Sequence, residues 1–347
     1  MLAELPRLLG RSFLIGFALP ATLFLLVVKA IDHSFKIDLL VFPKDADVLG
    51  IVVIPFAIMF IAILLLAINT PIVRALAGYR RLKPFDILLA CQIKKFKEGV
   101  EPLLTEQSRL DDLRKSDSSA QSGLTNFSNG LSWAVMSYPD EAAFVLPTKF
   151  GNAMRAFEVY ARAVYGIEAI QVWNRLALLL PSEVKDRVKD GRSMLDFLVN
   201  ILFLATCTIV IYVVLLIWMR RVAAWIIPTS SLVTICLALA CLPTAAKQWG
   251  EMVKSVFDLY RGLLAENLGL TLPKDPCEEV NMWREVSRMM VFRSREAFLA
   301  VAKYRKSDEE TEDSAEPQMR SQRVRLTNGS SGATVGPPES ASLDVCN

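Results

Sequence analysis

Four stretches of almost uninterrupted apolar residues constrain this chain more than any other feature of its sequence. They cover residues 12–31, 48–68, 195–218 and 225–246. Because a helix rises about 1.5 Å per residue, roughly 20 such residues cross the hydrocarbon of a bilayer. Charged side chains fall only near the ends of these stretches, at Lys29 and Asp196, where we expect them to reach the headgroups. The sequence therefore predicts four membrane-spanning helices.

The overall composition agrees with a membrane protein and argues against a nucleic-acid-binding one. Hydrophobic residues make up 53% of the 347 residues, whereas charged residues make up 22%. That proportion is too apolar for an ordinary soluble domain of this size. The formal net charge of +3 is too small to indicate a nucleic-acid partner. The expected surroundings of the chain are a lipid bilayer.

Lysine and arginine are distributed unevenly around the four stretches. One group flanks their outer ends: Arg7, Arg11, Arg74, Arg80, Arg81, Lys83, Lys185, Arg187, Lys189, Arg192, Lys247, Lys254 and Arg261. The two short connectors hold a smaller group: Lys36, Lys44, Arg220 and Arg221. Basic residues near spans are retained on the cytoplasmic side during insertion. We therefore expect both termini and the long middle region to lie in the cytoplasm.

These observations predict an all-α integral membrane protein, with four transmembrane helices as two hairpins plus a cytosolic helical domain. The predicted order along the chain is a first hairpin within 1–68, a cytosolic helical domain at 69–194, a second hairpin at 195–246, a helical tail at 247–306 and a disordered tail at 307–347. A Ser-rich polar loop is expected near 113–129. The helical tail should continue from the fourth span, pack on the middle domain and include a second helix from Pro276 to Tyr304.

The most patterned polar stretch is "LPTKFGNAMRAFEVYARAVYGIEAI". Thr148 suits the start of a helix, because its hydroxyl can accept from a free backbone amide. Gly151 permits another backbone to approach closely. Arg155, Glu158 and Arg162 are three and four residues apart, so they share one helical face and are expected to form a local ion network.

Six residues from this stretch and the helix after it form a candidate polar cluster. They are Thr148, Lys149, Asn152, Arg155, Glu158 and Arg175. The basic members can hold an anionic headgroup or a nucleotide near the helix start. The alternative, which we favour, is that paired arginine and glutamate brace the helix against its neighbours.

Enzymatic and metal chemistry find little support in the sequence. The single histidine, His33, lies in a short connector far from the polar cluster. The six cysteines show no pair spacing of the kind that binds metal. Neither a Gly-rich nucleotide loop nor an aspartate cluster for magnesium is present. We therefore expect no cofactor and no metal site, and the sequence leans against an enzyme.

The polar stretch is similar to a recurrent pattern in uncharacterised bacterial multi-spanning membrane proteins. In that pattern, Leu-Pro-Thr-basic-x-Gly-Asn leads through Arg, Glu and Tyr to Tyr-Gly-Ile/Leu-Asp/Glu-Ala and then Trp-Pro-Arg-Leu. Here Lys149 stands where arginine is usual, and Asn174 replaces the usual proline. The resemblance implies a multi-pass protein of the bacterial inner membrane, and it implies no particular activity.

The leading functional hypothesis is a nonenzymatic, membrane-anchored scaffold or sensor. Its cytosolic domain is expected to bind a protein partner or an anionic ligand. One alternative is a channel or transporter formed by a homo-oligomer, in which intramembrane hydroxyl groups line a path. Another is a membrane-associated enzyme that acts on an anionic substrate through Glu158 or Glu168 with Arg155 and Arg175.

Overall fold

The structure, a computed structural model, describes residues 10–37, 48–80, 83–106, 124–220 and 225–305. Within these ranges the regular secondary structure is helical, and one isolated backbone bridge joins Leu270 to Arg305. The principal helices are α1 (Arg11–Phe35), α2 (Val48–Ala77), α3 (Lys83–Lys95), α4 (Leu124–Ser137), α5 (Lys149–Tyr165), α6 (Ala169–Leu179), α7 (Ser182–Met219), α8 (Ile226–Asn267), α9 (Pro276–Phe292) and α10 (Arg295–Val301). The predicted disordered tail lies outside the described residues.

Among the described residues, four helices are long and apolar enough to cross a membrane. They contain the candidate spans Arg11–Phe35, Val53–Ala77, Ser182–Met219 and Ile226–Asn267. The prediction of four apolar spanning helices is thus confirmed in length and composition. Helices α7 and α8 have 38 and 42 residues, so they are about 57 and 63 Å long. Because hydrocarbon is roughly 30 Å thick, both extend well beyond it, and α8 continues unbroken from the fourth span as predicted.

Helices α1 and α7 run side by side in the same direction. Near the start of α1 and the middle of α7, Nδ2 of Asn200 donates a hydrogen bond to the Gly16 carbonyl oxygen at 2.8 Å. Near the other end, the rings of Phe35 and Tyr212 meet edge to face with centroids 5.6 Å apart. The segment Leu14–Ala18 is a π-helical turn, which breaks the regular hydrogen-bond pattern of α1. The Gly16 carbonyl in this turn therefore binds a neighbouring helix.

Helices α7 and α8 run in opposite directions and form the most extensive helix contact in the protein. Gly191, early in α7, lies beside Trp249, late in α8. Leu215, near the end of α7, packs in one cluster with Ile227 at the start of α8. The polar ends of α7 and α8 therefore lie at the same end of the bundle, where α1 begins and α2 ends.

The remaining helices pack around these polar ends and form what we call the juxtamembrane domain: α3–α6, α9, α10, the first part of α7 and the last part of α8. Helix α5 is central, because it contacts α2, α4, α6, α8 and α9. The core here is large and aromatic, with Trp283, Phe257 and Met282 fully enclosed. A smaller cluster, which includes Phe96 and Tyr138, joins α3 to α4.

Two local expectations differ from the structure. The polar segment near 113–129 gives way to helix α4 at Leu124, because the later residues of this helix pack against Phe96; residues 113–123 lie outside the described residues. The helix expected from Pro276 to Tyr304 ends at Phe292. Arg293 adopts a left-handed conformation with φ of 54°, and Ser294 then caps α10. A capping serine offers the backbone an alternative to continuing the helix.

Candidate functional site

Helix α5 is fastened at its first turn to the end of helix α2. The hydroxyl of Thr148 accepts from the Gly151 amide at 2.9 Å, which confirms the predicted cap. The same hydroxyl donates to the carbonyl oxygens of Leu76 and Ala77, at 3.0 and 3.2 Å. A Cβ atom on Gly151 would overlap the Ala77 carbonyl, so the predicted close backbone approach is also confirmed. We call this contact the α2–α5 lock.

The residue after the end of α2 continues this contact. Gly78 adopts φ of 82°, a left-handed conformation that favours glycine. A Cβ atom there would lie 2.8 Å from Cδ of Pro147. The Leu-Pro-Thr sequence thus packs directly against the turn that leaves α2. This turn places Tyr79 beside the face of α5 that carries Glu158.

Glu158 lies in a mostly buried triad with Tyr79 and Arg155. The Tyr79 hydroxyl donates to Oε2 of Glu158, and Nη1 of Arg155 lies 3.5 Å from the same oxygen. The Arg155 guanidinium also sits over the Tyr79 ring, 4.9 Å from its centroid. Burial raises the pKa of Glu158, although the Tyr79 hydrogen bond and the positive charges of Arg155 and Arg74 oppose the shift. Burial and the Glu158 carboxyl raise the pKa of Tyr79.

Asn152 connects α5 to a different neighbour. Its side chain is completely buried, and Oδ1 accepts from the Leu146 amide at 2.6 Å. Its Nδ2 donates to Oε1 of Gln92 on α3 at 3.3 Å, and the same oxygen accepts from the Tyr138 hydroxyl at 2.9 Å. Since buried amides must be paired, Asn152 is held by partners from several parts of the domain.

Arg175 and Lys149 lie apart from the triad. Arg175 is exposed on α6, where Nη1 donates to the Gln171 carbonyl at 3.0 Å. Lys149 is exposed beside the α2–α5 lock. Arg162 stacks over the Phe144 ring at 4.3 Å instead of extending the expected ion network. Of the six predicted residues, the structure therefore brings Arg155 and Glu158 into contact on α5, gives Thr148 and Asn152 separate partners, and leaves Lys149 and Arg175 exposed.

A cavity of about 220 Å³ opens beside Glu158. Its wall consists of Met154, Phe157, Glu158, Ala169, Ile170, Trp173, Arg192, Trp249, Val253 and Phe257. The wall is mainly apolar and aromatic, with one carboxyl and one guanidinium group. The described residues that line this cavity do not include Arg155, Arg175 or Glu168. The cavity is therefore not the shared polar pocket that the enzyme alternative requires.

A second polar network joins α5, α8 and α9, and the sequence reasoning missed it. Oδ1 of Asp258 accepts from the hydroxyls of Tyr160 and Tyr165 at 2.9 and 2.8 Å. Arg261 lies over the Tyr165 ring at 4.3 Å, and its Nε donates to Oε1 of Glu279 at 2.7 Å. In the sequence, this network was indicated by Tyr160 and Tyr165, because a phenol group that is buried needs a hydrogen-bond partner.

A third network lies where α7 enters its apolar stretch. Oδ1 of Asp196 accepts from Nδ2 of Asn69 at 2.8 Å and from Nε of Arg192 at 3.0 Å. The carboxyl is buried between helices, so the expectation that it meets headgroups is wrong. Asn69 on α2 supplies a partner inside the bundle, which is how intramembrane polar groups are commonly satisfied.

The described residues contain no group of three or more side chains suited to hold a metal ion. No protein-family model matches the chain, and no match is found among curated proteins or solved structures. The geometry of the described residues is therefore the basis for assigning a function.

Proposed function

We propose that this chain is a nonenzymatic, membrane-anchored scaffold or sensor of the bacterial inner membrane. In this proposal, α1 with α2 and α7 with α8 form two membrane hairpins. Both termini and the juxtamembrane domain lie in the cytoplasm. The support is that basic residues gather at the same end of the bundle as the domain, as expected for a cytoplasmic face. The domain then binds a protein partner or an anionic ligand.

The observation that carries the proposal is the direct attachment of the domain to two spans. At one point, the α2–α5 lock joins Gly151 to Ala77. At another, Phe157 of α5 packs on the α8 backbone, so a Cβ atom on Gly250 would lie 2.6 Å from its ring. Helix α8 then continues without a break into the fourth span. A shift of α5 on ligand binding would therefore be passed to α2 and α8, because packed cores transmit strain.

The intramembrane hydroxyl groups favour this role over that of a channel. The channel alternative places six of them along a path, but in the structure five of the six donate to a backbone carbonyl three or four residues earlier, and the sixth, Ser231, is buried. The five donors are Thr206, Thr208, Thr229, Ser230 and Thr234. Such bonds satisfy hydroxyls inside a helix and do not require water.

The surroundings of Glu158 likewise favour binding over catalysis. A general base or nucleophile needs a reacting partner within hydrogen-bond reach. Glu158 instead accepts from Tyr79 and pairs with Arg155. The described wall of the adjoining cavity contributes no hydroxyl, thiol, amine or imidazole. The triad therefore has the features of a structural contact that holds α5 against the turn after α2, and it lacks those of a catalytic site.

Photocrosslinking in living cells tests for the partner. A benzophenone amino acid at Leu259, exposed on the domain part of α8, should give a discrete protein adduct. The same group at Ile217, exposed on the apolar stretch of α7, is the matched control and should give mainly lipid adducts. Adducts restricted to lipid at both sites, or robust turnover by the purified protein that Glu158→Gln abolishes, would contradict the proposal.

Spin-label distances test the sensor part with the identified partner. Labels replace His33 and Trp225, both exposed at the far end of the bundle. The partner should change the distance distribution between them, whereas the Thr148→Ala variant should show a smaller change because the α2–α5 lock is weakened. An identical distance distribution with and without the bound partner would contradict the sensor role and leave only the scaffold role.

A further inference from the structure

A second, larger crevice lies at the place where α7 enters its apolar stretch. It has a volume of about 650 Å³. Phe13 and Phe17 of α1 and Leu66 of α2 form an apolar side of its wall. All three belong to apolar spanning stretches, so this side lies at the level of the hydrocarbon. The crevice therefore begins where acyl chains are the surrounding solvent.

Another part of the same wall is basic. Lys185, Lys189 and Arg192 line it, and they recur at four and three residues along the polar part of α7. Residues at this spacing share one helical face. The Lys185 ammonium donates to the Leu178 carbonyl at 3.2 Å, which uses one of its three donors. The apolar and basic sides together match the two ends of an amphiphile.

The acidic residues near the crevice do not cancel this positive charge. Asp196 is the acidic residue of the described wall, and it is already bonded to Arg192 and Asn69. Asp186 lies 3.6 Å from Lys189, but both side chains are mostly exposed, so their attraction is strongly screened. Asp190 is outside the described wall, although its Oδ1 accepts from the hydroxyl of the wall residue Ser12 at 3.5 Å. The wall itself holds three basic side chains, Lys185, Lys189 and Arg192, against the carboxyl of Asp196, so the wall keeps a net positive charge.

An unsatisfied donor lies in the same wall. Nε1 of Trp249 is buried and has no hydrogen-bond partner among the described residues. Trp249 lines both this crevice and the smaller cavity beside Glu158, and the Arg192 guanidinium covers its ring at 4.9 Å. A buried donor left unpaired is costly, and native structures usually supply an acceptor. Because Trp249 lines the crevice, an acceptor oxygen of a bound ligand that reaches this nitrogen would satisfy it.

We propose that this crevice binds one membrane phospholipid with an anionic headgroup. The phosphate lies at Lys185 and Lys189, a headgroup or ester oxygen accepts from Trp249, and an acyl chain lies along Phe13 and Phe17. A lipid is the occupant that fits, because the crevice joins apolar and basic walls at the bilayer edge, where anionic lipids attract lysine and arginine. This inference rests on the proposed placement of the four spans in a membrane, but it is independent of whether the domain binds a protein.

Photolabelling of the full chain tests the site. The protein is placed in phosphatidylcholine nanodiscs that contain a small fraction of phosphatidylglycerol with a photoactivatable acyl chain. Peptide mapping should place the label on α1 around Phe13 and Phe17. The double variant Lys185→Gln/Lys189→Gln should reduce this labelling roughly 30-fold, from about fivefold per lost charge. Lys94→Gln/Lys97→Gln, at the end of α3 and in the turn that follows it, removes equal charge elsewhere and should leave the labelling unchanged.

Two further arms separate the components of the site. Trp249→Phe keeps an aromatic ring, although a smaller one, and removes the N–H donor, so it should lower labelling about fivefold. An excess of inorganic phosphate should not displace the lipid, because it lacks the acyl chain. Labelling spread evenly over all spans, equal losses in the two double variants, or displacement by inorganic phosphate would each overturn the proposal. Unchanged thermal midpoints of the variants show that lost labelling does not reflect unfolding.

Discussion

The outer face of the membrane bundle exposes large aromatic side chains of the kind that the core of the juxtamembrane domain encloses. In the bundle, Phe56 and Phe60 of α2 are 72% and 70% exposed. In the domain, Trp283 is 0% exposed and Phe257 is 1% exposed. The difference shows that the two regions are built for different solvents, because lipid tails leave no drive to bury a phenylalanine. Apolar burial stabilises the domain, whereas other forces must hold the bundle.

Close approach and interhelical polar bonds supply those other forces. Ala21 and Ala62 are fully buried between helices of the bundle. Gly16 lies against α7 and receives the Asn200 hydrogen bond, and Asp196 bonds to α2 and to its own helix. Small residues and such bonds are the usual means of association in lipid. Substitutions in each region can therefore separate the contribution of apolar burial from that of close packing and polar bonds.

The largest contrast is expected between Trp283→Ala and Phe60→Ala. Removal of the enclosed Trp283 side chain should lower the free energy of unfolding by about 3–5 kcal/mol, because it removes apolar burial and leaves a cavity. Phe60→Ala should cost less than about 1 kcal/mol, since that ring faces outward in the bundle. Thermal unfolding in detergent, followed by near-UV circular dichroism, gives both values. Equal losses would contradict the division between the two regions.

The second-largest loss of stability is expected at the α2–α5 lock, where the bundle meets the domain. Gly151→Ala should destabilise the protein by about 1–3 kcal/mol or more, because the new methyl group overlaps the Ala77 carbonyl. Gly262→Ala on α8 is the matched control: nothing lies within 4 Å of its added Cβ, so it should stabilise the helix by up to about 1 kcal/mol. The same unfolding assay measures both variants. A neutral Gly151→Ala would refute the α2–α5 lock.

A smaller loss of stability is expected when the Thr148 hydroxyl is removed from the α2–α5 lock and no steric overlap is introduced. Thr148→Ala removes the helix cap and the bonds to Leu76 and Ala77, and it should cost about 1–2 kcal/mol. Thr148→Ser retains the hydroxyl and should recover most of the difference. If serine proves as destabilising as alanine, the methyl group and not the hydroxyl holds this contact.

The smallest effect is a pH dependence that depends on Glu158. Burial raises the pKa of this carboxyl, so the folded protein keeps its proton to higher pH than the unfolded chain. The contribution of Glu158 to stability is therefore greatest below its ordinary carboxyl pKa and is lost as the pH rises through its folded pKa. Glu158→Gln can still accept from Tyr79 and should flatten this part of the profile. Thermal midpoints from pH 4 to pH 8 provide the comparison, and parallel profiles would exclude the triad as the source.

The sequence predicted features whose cause is local. The spans follow from apolar length, because bilayer thickness fixes how many residues a helix needs. The Thr148 cap and the close approach at Gly151 follow from the chemistry of single residues near a helix start. The continuation of α8 follows from apolar residues at helical spacing past residue 246. None of these required knowledge of a distant partner.

Features that depend on distant partners were not predictable in the same way. Glu158 meets Tyr79, which is 79 residues earlier, and Asp258 meets Tyr160 across 98 residues. Helical spacing pointed instead to Arg162, which stacks on Phe144. Helical periodicity predicts which side chains of one helix lie close together. It does not predict which residue of another helix will contact them, because that depends on tertiary packing. The candidate cluster was therefore predicted in part, without the tyrosine that completes the triad.

Cysteine accessibility in intact cells tests the central claim, that the domain lies on one side of a membrane and the short connectors on the other. Native Cys91 and Cys277 are exposed on the domain, and His33→Cys adds a reporter at the opposite end. In a background without the other cysteines, an impermeant maleimide should label the introduced cysteine in intact bacterial cells and reach Cys91 and Cys277 only after permeabilisation. Labelling of Cys91 and Cys277 in intact cells, as readily as of the introduced cysteine, would contradict this account.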